Sequence, residues 1–180
     1  MNAHTEVLTF WFEQIEPKQW WVVDAAFDGL VRARFDGRLR QAAAGELWEW
    51  RSSARGRLAE VIVLDQFSRN IHRGTPAAFA QDPQALALAQ EAVAGGALQA
   101  LNEVERTFLL MPYMHSESRR VHVEADALFR QFAPAQNHEF ELRHKAIIDR
   151  FGRYPHRNAI LGRVSSAEET EFLQQPGSSF

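Results

Sequence analysis

The chain contains no cysteine. That excludes disulfides, thiolate nucleophiles and thiolate metal sites, and it fits a reducing compartment. It also lacks a charge of one sign. Lys and Arg number 20 and Asp and Glu 23, a net charge of -3, so no basic footprint points to nucleic acid. No apolar run is long enough to span a membrane. The start, MNAHTEVLTFWF, has neither the basic region nor the long apolar stretch of a signal peptide. The expectation is a cytoplasmic chain with no membrane and no nucleic-acid partner. Strand patterns are nearly missing. The dinucleotide, phosphate-loop, nucleophile-elbow and zincin motifs are missing altogether, so no cofactor is expected.

What is there is a chain of 180 residues, 46% hydrophobic and 24% charged, which is ordinary for a globular protein and enough for one domain over residues 1–180. Five Trp and thirteen Phe predict an aromatic-rich core.

The periodicity is helical throughout. Thr5 reads as the cap of a short helix that ends before Pro17. Asp24 caps the next, with Phe27, Leu30, Val31, Phe35 and Leu39 at helical spacing and Gly45 closing it. Ser53 opens a third, whose run LAEVIVLDQF is apolar almost all round and marks a central helix that Gly74 ends. Thr75-Pro76 and Asp82-Pro83 read as cap-plus-proline starts, the second helix stopping at Gly95-Gly96. A helix from Glu103 breaks at Pro112. Ser116 or Ser118 starts the next, Asn137 another, and Ser165 with Glu168 a last capping box. The reading is all-α: about seven to eight helices joined by short loops as antiparallel hairpins.

Two islands set charged groups against this apolar background. Charged side chains are rarely buried without partners, so such islands mark either a site or a packing network. In DQFSRNIHR, Asp65 and Arg69 are four apart and share a helix face, as do Gln66 and Asn70, and Arg73 follows a turn later. In RFGRYPHRNAILGR, Gly152 ends a helix and Pro155 extends Tyr154. His156, Arg157 and Asn158 then sit among Arg150, Arg153 and Arg163. Arginine forks suit carboxylate and phosphate oxygens. A third stretch, MPYMHSES, sets His115 and Glu117 at a helix break, where a polar pair can face an anion or simply oppose the helix dipole. His144 lies on the apolar stripe of its helix. A metal set could be assembled from His115, Glu117, His122, Glu124 and His144, but the spacing matches no ligand motif, and no metal is expected.

The blocks LDQFSRNIHRGTPAAFAQDPQAL, FLLMPYMHSES and HKAIIDRFGRYPHRNAILGRVSSAEETEFL, in that order, resemble the signature of the bacterial domain-of-unknown-function family nine-two-four, placed in the tetratricopeptide-like helical superfamily. The resemblance covers nearly the whole chain. It implies helical hairpins and supplies no activity, substrate or catalytic residue. The signature positions are Asp65, Gln66, Phe67, Arg69, Asn70 and Arg73, then Pro112, His115, Ser116 and Glu117. The third block adds His144, Phe151, Gly152, Arg153, Pro155, His156, Arg157, Asn158, Gly162 and Arg163. One departure stands out: the family implies a glutamine near the position of His122.

Three readings follow. The first is a pocket for a small anionic ligand or peptide, with arginines as clamp, Asn70 and Asn158 orienting it, and aromatic walls. The second is a hydrolase or transferase on an anionic substrate, with His115 or His156 as acid or base, oriented by Asp65 or Glu117, and water as nucleophile. The third makes the polar islands a buried packing network, with function on the surface through a protein partner that the sequence does not identify.

Overall fold

The structure, a computed structural model, describes residues 3–180. It is all helical, with no strand among the described residues, and seven of its α-helices have seven residues or more. The first, α1 (Ala3–Thr9), continues into a π-turn, Phe10–Gln14. Helix α2 (Ala25–Ala43) follows. Then α3 (Ala54–Ile62), a second π-turn (Val63–Phe67) and α4 (Ser68–Ile71) run on without a break. The rest are α5 (Asp82–Ala94), the short α6 (Ala97–Ala100), α7 (Glu103–Met114), α8 (Arg119–Phe132), α9 (Ala135–Phe151) and the short α10 (Ala167–Phe172).

Local chemistry explains most of these boundaries. Asp24 Oδ1 accepts from the backbone N–H of Ala26 and Phe27 at 2.8 and 3.1 Å, and so opens α2. Ser53 Oγ accepts from Gly56 N at 3.1 Å and opens α3. Gly45, Gly74 and Gly152 follow their helices with positive φ, which only glycine adopts without strain.

Five expected boundaries move. Asp82 does not cap α5 but is its first residue, with Gln81 before it. Thr5 lies inside α1 and caps nothing. Pro112 does not break α7, which runs on to Met114. It removes one N–H, but Met111, Tyr113 and Met114 are buried around it, and packing of those side chains outweighs the lost bond. Helix α9 begins at Ala135, ahead of Asn137, because Pro134 supplies a φ suited to a helix start. The last capping box is Ser166 with Glu169, one residue on from the expected pair. Leu30 also leaves the buried stripe of α2 and is half exposed.

Helix α3 and its π-turn form the centre: Leu58, Ala59, Val61, Ile62, Val63, Leu64 and Phe67 have no exposure. Around them Phe10, Trp11, Phe27, Phe35, Phe67 and Phe108 pack mostly tilted or edge to face, the geometry that the ring quadrupole favours. A smaller cluster of Ile147, Ile148 and Tyr154 sits with Phe151 and Phe172 on α9, the loop after it and α10.

Two glycines respond oppositely to a methyl group. A Cβ on Gly56 would stand 2.0 Å from the Trp50 carbonyl oxygen, whereas one on Gly29 meets nothing within 4 Å. Gly56→Ala is expected to cost about 1–3 kcal/mol, and Gly29→Ala to stabilise by about 1 kcal/mol. Urea midpoints of the two variants check both signs.

Candidate functional site

The π-turn at 63–67 carries the most buried charge in this region. Asp65 has no exposure, and Gln66 beside it is 8% exposed. A π-turn inside an α-helix is unfavourable locally and tends to occur where a site needs it. Around Asp65 stand three donors. Gln66 Nε2 donates at 2.6 Å, His115 Nδ1 at 2.7 Å and Arg69 Nη1 at 3.2 Å; Arg69 Nη1 also reaches the Asp65 carbonyl at 2.8 Å. Burial opposes ionisation of Asp65, but His115, Arg69 and these hydrogen bonds outweigh it and hold the carboxyl below the usual range.

Arg69 is then neutralised a second time. It forms a fork to Asp82 at 2.9 and 3.0 Å, at the start of α5. Asp82 also takes Arg157 Nη1 at 3.3 Å, while Arg157 Nη2 donates to the His115 carbonyl at 3.1 Å. The Arg157 guanidinium is sandwiched by aromatic rings, 4.6 Å from the centre of Phe79 and 4.7 Å from that of Tyr154. Its Nε is buried without a partner.

His115 follows the last residue of α7, and the loop behind it is tied from two directions. Glu117 accepts a fork from Arg163 at 2.6 and 2.9 Å and the Tyr154 N–H at 2.8 Å. The Ser116 carbonyl meets His122 Nε2 at 2.8 Å, and His122 Nδ1 in turn meets Glu141 at 2.6 Å. Burial, then Arg69, hold the His115 imidazole below its ordinary value against the pull of Asp65. The ring is therefore neutral at pH 7, with the proton on the Nδ1 that faces the carboxylate. Its Nε2 makes no hydrogen bond among the described residues and is left as a base. His115 lines a cleft of about 380 Å³ together with Asp82, Glu117 and Arg157. Pro76, Phe79, Pro83, Leu86, Pro112 and Leu161 form its apolar wall.

The structure thus brings Asp65, Gln66, Arg69, His115, Glu117, Arg157 and Arg163 into one connected network. Asn158 joins it, accepting from Arg163 Nε at 3.0 Å and donating to Ser165 at 3.0 Å. Asn70 and Arg73 do not join it. Both serve Asp28 on α2, at 2.8 Å for Asn70 and 2.5 and 2.8 Å for Arg73. Arg153 forks onto Glu169 of α10 at 2.6 and 2.7 Å. His144 and His156 flank Tyr154, to one side of the network. Burial pushes His144 down to about 3 and His156 down to about 4. Asp82, Phe79 and Tyr154 are members that no local sequence pattern marks as part of a site. The Asp-Pro pair at 82–83 signals only a helix start, and Tyr154 only an extended residue before proline.

All-helical architecture with a buried carboxylate–imidazole–guanidinium network opening on an apolar cleft defines the class. A family profile described as "Bacterial protein of unknown function (DUF924)" matches residues 7–177. The chain belongs to that family. A solved structure, "Structure of Protein of Unknown Function ATU0120 from Agrobacterium tumefaciens", is similar with a TM-score of 0.90 and 36% identity, over 95% of this chain and 96% of that one. No curated protein matches the chain.

Removing Arg69 leaves the buried Asp65 and the partly buried Asp82 without their main cation. Arg69→Ala is expected to cost roughly 3–5 kcal/mol, read from urea unfolding. Arg73→Ala, whose side chain is far more exposed, costs less. The pH dependence has a definite sign. In the unfolded chain His144 and His156 titrate near 6.5, about the ordinary value; folded, near 3 and 4. Between those values the unfolded chain binds more protons. Stability is therefore full above pH ~6.5 and falls as the pH drops toward 4. Urea midpoints between pH 8 and 4 show this decline, and His156→Asn makes it shallower.

Proposed function

We propose that the cleft is a small-molecule site in which His115 acts as general base and acid, and that the protein is a hydrolase or transferase using water or a substrate hydroxyl as nucleophile. One observation carries this reading: the 2.7 Å contact of His115 Nδ1 with the buried Asp65, which orients the ring of a residue that lines the cleft and leaves Nε2 without a partner among the described residues. A base held in one tautomer by a buried carboxylate is the arrangement general base catalysis needs. The guanidinium of Arg157 beside it can steady negative charge that develops on a substrate oxygen. The apolar wall suits a substrate with an aliphatic or aromatic body.

A second reading is supported by Arg157 itself. Its guanidinium, a cation lining the cleft next to an apolar wall, suits binding of an aliphatic carboxylate or a peptide end without turnover. The sequential packing of α7, α8 and α9 supports a tetratricopeptide-like arrangement of hairpins, and the lack of cysteine supports residence in the cytoplasm. No helix is long and apolar enough to cross a membrane.

Hydrolysis of p-nitrophenyl esters and phosphates by the purified protein tests the first reading. Turnover is expected above buffer and falls as acid protonates His115. In His115→Gln it drops by roughly 10²–10⁴-fold while the circular dichroism stays unchanged. No turnover, or equal turnover in the variant, defeats it. Hexanoate then decides the second reading: it raises the melting temperature of the wild type but not of Arg157→Lys.

A further inference from the structure

Beside the network, α9 and the loop after it hold three aromatic groups that acid–base chemistry at His115 does not use. They enclose a ring from the far end of the chain. Phe180 stacks on His144 with centroids 3.7 Å apart and planes 21° from parallel. Tyr154 and His156 meet the same ring edge-on, at 6.2 and 5.7 Å, both near 83°. One flat face and two edges make a slot shaped for a planar ring.

The slot and its occupant differ in how firmly they are held. Tyr154 has no exposure and His144 is 7% exposed, whereas Phe180 is 56% exposed. Tyr154 is locked by its hydroxyl, which donates to the Met114 carbonyl at 2.5 Å, and His144 by Nδ1 on the Phe140 carbonyl at 2.8 Å. The tail is tied to the turn after α10 through Ser178, whose hydroxyl donates to the Leu173 carbonyl at 3.1 Å and whose N–H donates to the Gln175 carbonyl at 3.3 Å. The walls are buried and hydrogen-bonded, whereas the occupant is more than half exposed and makes no hydrogen bond through its side chain. His156 Nδ1 is buried without a hydrogen-bond partner, an acceptor or donor that Phe180 cannot satisfy. Both imidazoles are uncharged at neutral pH, because burial keeps their affinity for protons low. The slot therefore favours a neutral ring over an ion. Arg157 stacks on the same Tyr154 ring and lines the cleft, so slot and cleft are neighbours.

We propose that His144, Tyr154 and His156 form a binding slot for a flat, neutral aromatic ring of a ligand, and that Phe180 is its displaceable resident. A tethered resident competes at a high effective concentration, so it weakens the apparent affinity for any free ring by the fraction of time the slot is filled. The inference does not rest on the role given to His115.

Indole is a suitable probe, followed by ¹H–¹³C NMR of the histidine ring resonances. In Phe180→Ala the His144 and His156 signals lose the ring-current shift that Phe180 imposes. Indole then moves them, half-saturating at a concentration at least ten-fold lower than in the wild type. Adding His144→Leu, which fills the space but removes the flat face, abolishes the response. His115→Gln leaves it intact, so failure of the acid–base reading and failure of the slot are separate results. The slot is refuted if indole moves neither histidine in Phe180→Ala, if wild type and Phe180→Ala respond at the same concentration, or if binding survives His144→Leu.

Discussion

Asp65 sits as a carboxylate with no contact with water, on a π-turn in the middle of the core helix. The effective penalty for burying such an ion is several kcal/mol. It is offset only while His115, Gln66 and Arg69 all point at the carboxylate. Each of those partners brings a requirement of its own. Arg69 is largely buried and takes a second anion, which Asp82 supplies from the first turn of α5. Asp82, shared with Arg157, draws in the loop after α9. His115 has to stay at the end of α7, and Glu117 and His122 hold its loop there. One buried charge thereby fixes the relative placement of α3–α4, α5, α7 and the segment around 154–163.

The charges within this set cancel: Asp65, Asp82 and Glu117 face Arg69, Arg157 and Arg163. Arginines already forked onto carboxylates are poor clamps for another anion. What the balance leaves without a partner among the described residues is the Nε2 of His115, a residue that lines the cleft. On that balance rests the proposal of proton transfer rather than simple anion capture. The same network also has structural weight, since orphaning Asp65 leaves a buried charge.

Much of the scaffold was legible from local pattern. The caps at Asp24 and Ser53, the glycine stops and the wholly buried run before Asp65 follow from chemistry within a few residues. So does the Asp65–Arg69 pair, because four-residue spacing places them on one face. Asn70 and Arg73 look equally suited to the site, yet they turn to Asp28, which lies 42 and 45 residues away. No local spacing reveals that partner. Asp82 was visible only as a helix start because its second role depends on α5 packing against α3 and α7. Proline at 112 reads as a breaker, since only the burial of its neighbours keeps that turn helical.

By itself the amino-acid order determined an all-helical chain, where most helices begin and end, and which residues carry unusual charge. Those properties depend on backbone torsions and side-chain spacing over a turn or two. Only the tertiary structure decided which charges meet, that the arginines arrive already paired with carboxylates, and that His115 lines a cleft. Ion pairs form between whichever groups packing brings within about 3 Å, and packing is a property of the whole core.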